Sequence, residues 1–214
     1  GTAIGNVTAK AAADTGLDGS TVVAVGGGDA QLAALGLNLS SADEALIVAG
    51  TFWQQLVNLP KPIVDPDMRV RINAAAVPDL WQAEAIAFHA GTAIRWFRDT
   101  FASVEVAEAQ EQGIDPIEYL ISLANEVPIG SDGVIPIFSD VMNYSRWKHA
   151  APSFLNLSLD GGPRLRAAMF RSLMENAAIV AAENLALVEE FSGVRANTVV
   201  FAGGSAKSAI WAQI

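Results

Sequence analysis

The sequence predicts an α/β chain in which a mixed sheet is flanked by helices. Three features predict it. A strand–glycine–glycine–helix pattern occurs twice, where Thr21-Val22-Val23-Ala24-Val25 runs into Gly26-Gly27-Gly28 and where Thr198-Val199-Val200-Phe201-Ala202 runs into Gly203-Gly204. Two strand-like runs, 44–50 and 52–58, meet at Gly50-Thr51. Residues 164–191 are alanine-rich and uninterrupted by glycine or proline, which reads as one long helix closing near Gly193.

Taken in order, residues 7–15 form an alanine-rich helix that stops at Gly16, a C′ glycine. Residues 21–25 are a short β-branched run suited to a buried strand, and Asp29 to Leu35 start the next helix. Ser40-Ser41-Ala42-Asp43 is a linker. After the two runs that meet at Gly50-Thr51, residues 68–73 alternate as a strand and 81–88 follow as another. Residues 93–101 carry aromatic and aliphatic side chains at helical spacing, and 115–126 begin with Asp-Pro, a helix start signal. Residues 133–138 and 154–159 read as strands around a polar loop, and 198–202 as a second buried strand. The helix after Gly203-Gly204 is barely begun at Ile214, and Gly1-Thr2 lacks an initiator methionine, so the chain reads as a piece of a longer protein. On that reading the piece alone has no catalytic activity, and apolar surface left uncovered favours self-association.

Composition bounds the chemistry. With 214 residues, 51% hydrophobic and 17% charged, the chain is globular rather than disordered. No apolar run approaches the about 18 residues that span a bilayer, and no signal peptide opens the chain, so the expectation is a cytoplasmic protein. No cysteine is present, which excludes cysteine nucleophiles, disulfides and thiolate metal sites. Two histidines, His89 and His149, are too few for a histidine-built metal centre, and no protein metal site is expected. The net charge of −10 argues against nucleic acid and anionic membranes. It does not exclude nucleotides, whose phosphates bind backbone N–H groups at helix N-termini and bring Mg²⁺ with them.

Each glycine turn has a plain reading and a chemical one. Gly26-Gly27-Gly28-Asp29 is not a dinucleotide fingerprint, which needs glycine at Gln31, and Lys207-Ser208 lacks the upstream glycines of a phosphate-binding P-loop. From spacing alone Asp29 is most simply an N-cap; the alternative is a general base aimed into a cleft. Gly50-Thr51 is a hairpin turn or a phosphate-holding turn. Gly203-Gly204-Ser205-Ala206-Lys207-Ser208 follows a strand and opens a helix, the better nucleotide candidate. Phe52, Trp53, Trp81, Trp96, Phe97 and Phe101 read first as core and second as a substrate-pocket wall. Both histidines read as structural or solvated.

Together these segments resemble the FGGY carbohydrate kinases. That family has a Gly-Asp-x-Gln turn, here Gly28-Asp29-Ala30-Gln31, and then a Gly-Thr turn, here Gly50-Thr51. A segment similar to Ala-Gly-x-Ala-Ile-x-Trp-x-Arg-Asp follows at Ala90 to Asp99, and a Gly-Gly-x-x-x-Ser turn at Gly203 to Ser208. Gly50 to Gln55, Trp81-Gln82-Ala83-Glu84, Ile137-Phe138-Ser139-Asp140 and His149 to Phe154 resemble the autoinducer-2 kinase branch, whereas Ala30 departs from the glutamine of glycerol kinases.

The resemblance implies an actin-like, ribonuclease-H-like fold with ATP and Mg²⁺ between two domains, residues 1–39 ending the first and 40–214 forming most of the second. It implies that Asp29 is the catalytic base, that Asp29 and Gln31 meet the substrate, that Gly50, Thr51 and Gly91 line the phosphates, and that Gly203, Gly204 and Ser208 line the adenosine. The implied reaction is phosphorylation of a small polyol or ketone. In the best-fitting branch this is the quorum signal in its linear dihydroxy-pentanedione form, on the terminal hydroxyl. Another sugar or polyol kinase of the family is the competing reading, and a nucleotide-binding actin-fold module without turnover is a third; a carboxylate at Asp29 favours catalysis.

Overall fold

The computed structural model describes residues 1–87, 89–137 and 153–214. The expected strand end at Phe88 and the motif residues Phe138-Ser139-Asp140 and His149 to Pro152 lie outside the described residues. The elements are β1 (Ala3–Asn6), α1 (Ala9–Thr15), β2 (Val22–Ala24), α2 (Asp29–Gly36), β3 (Glu44–Ala49), β4 (Trp53–Leu59), β5 (Arg71–Ala74) and β6 (Trp81–Ala87). They continue with α3 (Ala90–Phe101), α4 (Ser103–Gln112), α5 (Pro116–Asn125), β7 (Ile135–Ile137), β8 (Ser153–Leu155), α6 (Gly162–Ser192), β9 (Thr198–Ala202) and α7 (Ala209–Gln213).

The centre is a five-stranded mixed sheet in the order β5-β6-β4-β3-β9. β3 pairs antiparallel with β4, β4 with β6 and β6 with β5, while β3 and β9 run parallel. Alternation along each strand divides its side chains between two layers. Ala45, Ala49, Trp53, Val57, Ala83, Ala85 and Ala87 pack with α6, and the upper part of that core also takes in α3 and α5. Leu46 and Leu56 face the other way and bury Ala30 and Ala34 of α2 together with Leu39.

α6 is the longest element at 31 residues, roughly 46 Å of helix. Its buried stripe includes Met174, Ala177, Ala181, Asn184 and Val188, the i, i+3, i+4 spacing of one face. Alanines on both the helix and the strands let the two backbones approach closely. Inside this layer Asn184 Nδ2 donates to Gln55 Oε1 at 2.6 Å, and both residues are fully buried. Sliding the helix along the sheet would break this hydrogen bond between buried amides, so the pair favours the observed register.

Helix ends follow the capping chemistry in the sequence. Gly16 and Gly193 adopt the left-handed conformation after α1 and α6. Asp115 accepts from the backbone N–H groups of Ile117 and Glu118, with Pro116 in the first turn. Asp29 is not the cap of α2. Gly28 holds that position and Asp29 is the first helical residue, its carboxylate accepting from Ala30 N at 2.8 Å.

Two strands expected to be buried are not. β2 pairs antiparallel with β1 in a separate two-stranded sheet whose residues are exposed, Val22 by 61%. β9 is an edge strand, so only Val200, Phe201 and Ala202 turn partly inward. α3 starts at Ala90, ahead of the expected 93, and α4 was not anticipated. The polar run Ser103–Gln112 gains its place through a tertiary contact, Arg166 Nε donating to the buried Glu105 carboxylate at 2.7 Å.

Phe97 is fully buried and meets the rings of Phe101, Phe154 and Phe170. Phe97→Ala should cost about 3–5 kcal/mol of folding free energy, read as a lowered midpoint in chemical denaturation at unchanged slope.

Candidate functional site

Three turns leave the sheet at one end and touch through bare backbone. The parallel register sets Val48 beside Ala202, so the turns that follow β3 and β9 emerge side by side. Gly203 has φ +100°, and a Cβ there would stand 2.8 Å from Ala49 O. β6 ends beside the start of β4, with Ala87 opposite Trp53, and so delivers the start of α3 beneath the first turn. A Cβ on Gly91 would fall 1.9 Å from Gly50 O and 3.1 Å from Thr51 Cα. Thr92 N donates to Thr51 O at 3.2 Å and ties helix to turn. Glycine at 91 and 203 is a steric condition of this junction.

The junction floors a cleft of about 810 Å³, with Gly50, Thr51 and Gly91 at its base. α3 contributes Ile94, Arg95 and Arg98, α5 contributes Ile117, Glu118 and Ile121, and the last turn contributes Gly204, Lys207, Ser208 and Trp211. Ile94, Ile117, Ile121 and Trp211 make one part of the lining apolar. Arg95 and Lys207 make another part cationic. Arg95 Nη2 donates to Thr51 Oγ1 at 3.3 Å, which holds the guanidinium over the turn. Arg98 is committed elsewhere: its Nε donates to Asp99 Oδ1 at 2.7 Å. That hydrogen bond holds the Asp99 carboxyl below its usual range and raises Arg98 above its own. An apolar slot beside glycine turns and two cations suits a ligand with a flat apolar end and an anionic end.

The structure therefore brings together Gly50, Thr51, Gly91, Gly204 and Ser208 of the expected site. Gly203 holds the junction from behind, packed on Ala49. Gly204 has no atom within 4 Å of where a Cβ would sit, so its bare Cα faces open space. Ser208 caps α7, its Oγ accepting from Trp211 N at 3.1 Å. Arg95, Lys207 and the α5 wall were missed, although both cations lie within segments the sequence marks as motifs. Of the aromatic residues read as core, Trp53 and Phe97 are buried and Trp81 and Trp96 partly so, whereas Phe52 and Phe101 are exposed; none of the six lines the cleft. His89 precedes α3 and is half-buried, its carbonyl accepting from Ala93 N at 2.6 Å.

Asp29 and Gln31 lie on the other side of the sheet, outside the cleft lining. The end of α2 is fixed by Asn58, whose Nδ2 donates to Leu39 O at 3.5 Å and Ser41 O at 2.9 Å. Asn58 lies at the far end of β4, next to the start of β3. α2 thus enters the sheet layer running opposite to β3, and its N-terminus with Asp29 points toward the end that carries Gly50-Thr51. Asp29 is exposed, and Gln31 folds back over Gly28, where a Cβ would fall 2.1 Å from Gln31 Oε1. Among the described residues no group of three or more His, Cys, Asp or Glu side chains is arranged to hold a metal ion. No helix of the described residues is long and apolar enough to cross a membrane.

A profile of the FGGY family of carbohydrate kinases, C-terminal domain, matches residues 45–214. This chain belongs to the FGGY family. Autoinducer-2 kinases of Yersinia pestis (strain Pestoides F) and Yersinia pseudotuberculosis (serotype O:1b, strain IP 31758) are 55% identical to it over all 214 residues. The chain spans 40% of the length of these relatives. A xylulose kinase from Rhodospirillum rubrum superposes with a TM-score of 0.74 at 26% identity, over 98% of this chain and 40% of that one. A gluconate kinase from Lactobacillus acidophilus gives 0.72 at 19% identity, over the same shares. The architecture is thus the actin-like, ribonuclease-H-like fold of FGGY kinases, as the sequence motifs imply.

The two kinds of glycine in this FGGY cleft are separable. Gly91→Ala should push the Gly50 turn away and cost about 1–3 kcal/mol, whereas Gly204→Ala should melt within about 0.5 kcal/mol of the parent. Paired thermal melts of the two variants check both.

Proposed function

We propose that this chain is the nucleotide-binding part of an ATP-dependent kinase that phosphorylates autoinducer-2, taken as the linear dihydroxy-pentanedione, on its terminal hydroxyl. The acceptor is taken from the 55% identity to autoinducer-2 kinases across the whole chain. The observation that carries the reading is the junction of three glycine turns at the base of a cleft flanked by Arg95 and Lys207. In this reading residues 1–39 end a first domain and 40–214 form most of a second. As a signal-metabolising enzyme drawing on ATP, it works in the cytoplasm.

The roles follow from the lining. The adenosine lies along the apolar wall of Ile94, Ile117, Ile121 and Trp211, against the bare Cα of Gly204. Phosphates reach the turns at Gly50, Thr51 and Gly91, where Arg95 and Lys207 offset their charge. Phosphoryl transfer asks the protein chiefly for positioning and charge stabilisation. Mg²⁺ neutralises charge on the transferred group when bound. It would be held mainly by the ligand's own phosphate oxygens, in keeping with its preference for few protein ligands. Asp29, exposed at the start of α2, accepts the proton of the attacking hydroxyl.

Two measurements on the full-length protein test this. Asp29→Asn keeps the residue's size and the helix, since Gly28 holds the cap position. It should leave the melting temperature nearly unchanged while kcat falls by roughly 10²-fold or more. A near-normal kcat removes Asp29 from the chemistry. Gly204→Val fills the space above the last turn and should raise the KM for ATP far more than that for the acceptor. An unchanged ATP KM in the folded variant removes the nucleotide from that turn.

A further inference from the structure

On the sheet face that carries α2, a buried carboxylate organises two amides that the roles above leave unused. Ala83, Ala85 and Ile72 turn toward α6, so their neighbours Glu84, Arg71 and Asn73 turn the opposite way. The apolar packing of α2 is against β3, β4 and β9, through Leu46, Leu56, Val48, Val200 and Ala202. Glu84 is only 3% exposed, and its carboxylate is met by side chains of its own sheet. Gln54 Nε2 donates to Glu84 Oε1 at 2.9 Å, and Asn73 Nδ2 donates to Glu84 Oε2 at 2.8 Å. Arg71 Nη1 stands 3.6 Å from Oε2 and balances the charge.

This arrangement has a fixed polarity. A carboxylate only accepts, so each amide must turn its NH₂ toward Glu84 and its carbonyl away. Gln54 Oε1 and Asn73 Oδ1 are left as oriented acceptors on half-buried side chains, and among the described residues neither receives a hydrogen bond. An oriented acceptor of this kind is matched by a hydroxyl donor. Gln54 also stands in the right place. It lies three residues after Thr51, opposite Val48 in the ladder, and Val48 packs on the cluster that contains Ala30, the neighbour of Asp29.

We propose that the Gln54 and Asn73 carbonyls, oriented by Glu84, form a hydroxyl-recognising wall for the phosphoryl acceptor and select neutral polyols and polyhydroxy-ketones over sugar acids. The inference rests on the kinase reading for the acceptor role of this ligand; the hydrogen-bonding class follows from the wall itself. Gln54 and Asn73 touch the ligand, and Glu84 is a positioning residue.

The test uses the full-length protein with Gln54→Leu, Asn73→Ala and Glu84→Gln. Glycerol, xylulose, autoinducer-2 and gluconate are compared as acceptors, and their binding is also measured by calorimetry without ATP. Gln54→Leu and Glu84→Gln should each raise the KM of the preferred acceptor by about 10-fold or more while the ATP KM stays within about two-fold. Calorimetric affinity should weaken in parallel, and gluconate should bind worst. Where Glu84→Gln lowers the melting temperature, Gln54→Leu decides, since it leaves the carboxylate paired with Asn73 and Arg71. An unchanged acceptor KM in folded Gln54→Leu overturns the proposal, as does an ATP KM that moves equally. If the parent turns over none of the acceptors, the kinase reading fails by itself. Polyol binding that is lost in Gln54→Leu then still supports the wall, and absence of polyol binding to the parent overturns it.

Discussion

The close passage of Gly91 beneath the Gly50 carbonyl is the contact on which the cleft depends. Every other feature of that end of the sheet follows from backbone meeting backbone. Because α3 can start directly under the β3–β4 turn, Thr92 N reaches Thr51 O and Arg95, one turn further along, reaches Thr51 Oγ1. Gly203 does the same for the neighbouring strand by lying against Ala49. Three chain segments from distant parts of the sequence thereby present main-chain groups to one volume, with no side chain between them. A ligand that binds there is held by geometry the strands impose.

The sheet gives its two faces different work. Toward α6 it is small and apolar, and alanine against alanine brings the longest helix close to the strands, with Asn184 and Gln55 as the one fully buried amide pair described there. Toward α2 it becomes polar beyond Leu56. Gln82 Nε2 donates to Asn58 Oδ1 at 2.9 Å, Asn58 ties down the end of α2, and Glu84 gathers Gln54 and Asn73. Buried polar groups of this kind cost desolvation unless they are paired. Their concentration on one face separates the polar side of the sheet from the apolar side that carries α6.

Much of this was legible along the chain because it depends on local chemistry. The glycine after a helix, aspartate before Pro116 and the uninterrupted run of α6 each act within one or two turns, so Gly16, Asp115 and Gly193 sit where capping requires them. Burial was less legible, since it depends on which neighbours arrive. The β-branched run at β2 and the run at β9 look alike as sequence, yet one forms an exposed two-stranded sheet and the other the edge of the main one. α4 escaped notice because its polar sequence has few apolar positions, and a partner sixty-one residues away, Arg166, anchors it through Glu105.

The sequence by itself determined the alternation of strands and helices, the glycine turns and the family they mark, because turn conformation, capping and hydrophobic period are written in neighbouring residues. Only the tertiary structure decided that Gly91 and Gly203 serve contact while Gly204 faces open space, that Arg95 stands over Thr51 while Arg98 is spent on Asp99, and that Asp29 follows the cap of α2 without being it. Those assignments depend on distances between segments far apart in the chain. Glycine is the same letter whether its missing side chain makes room for a backbone or for a ligand.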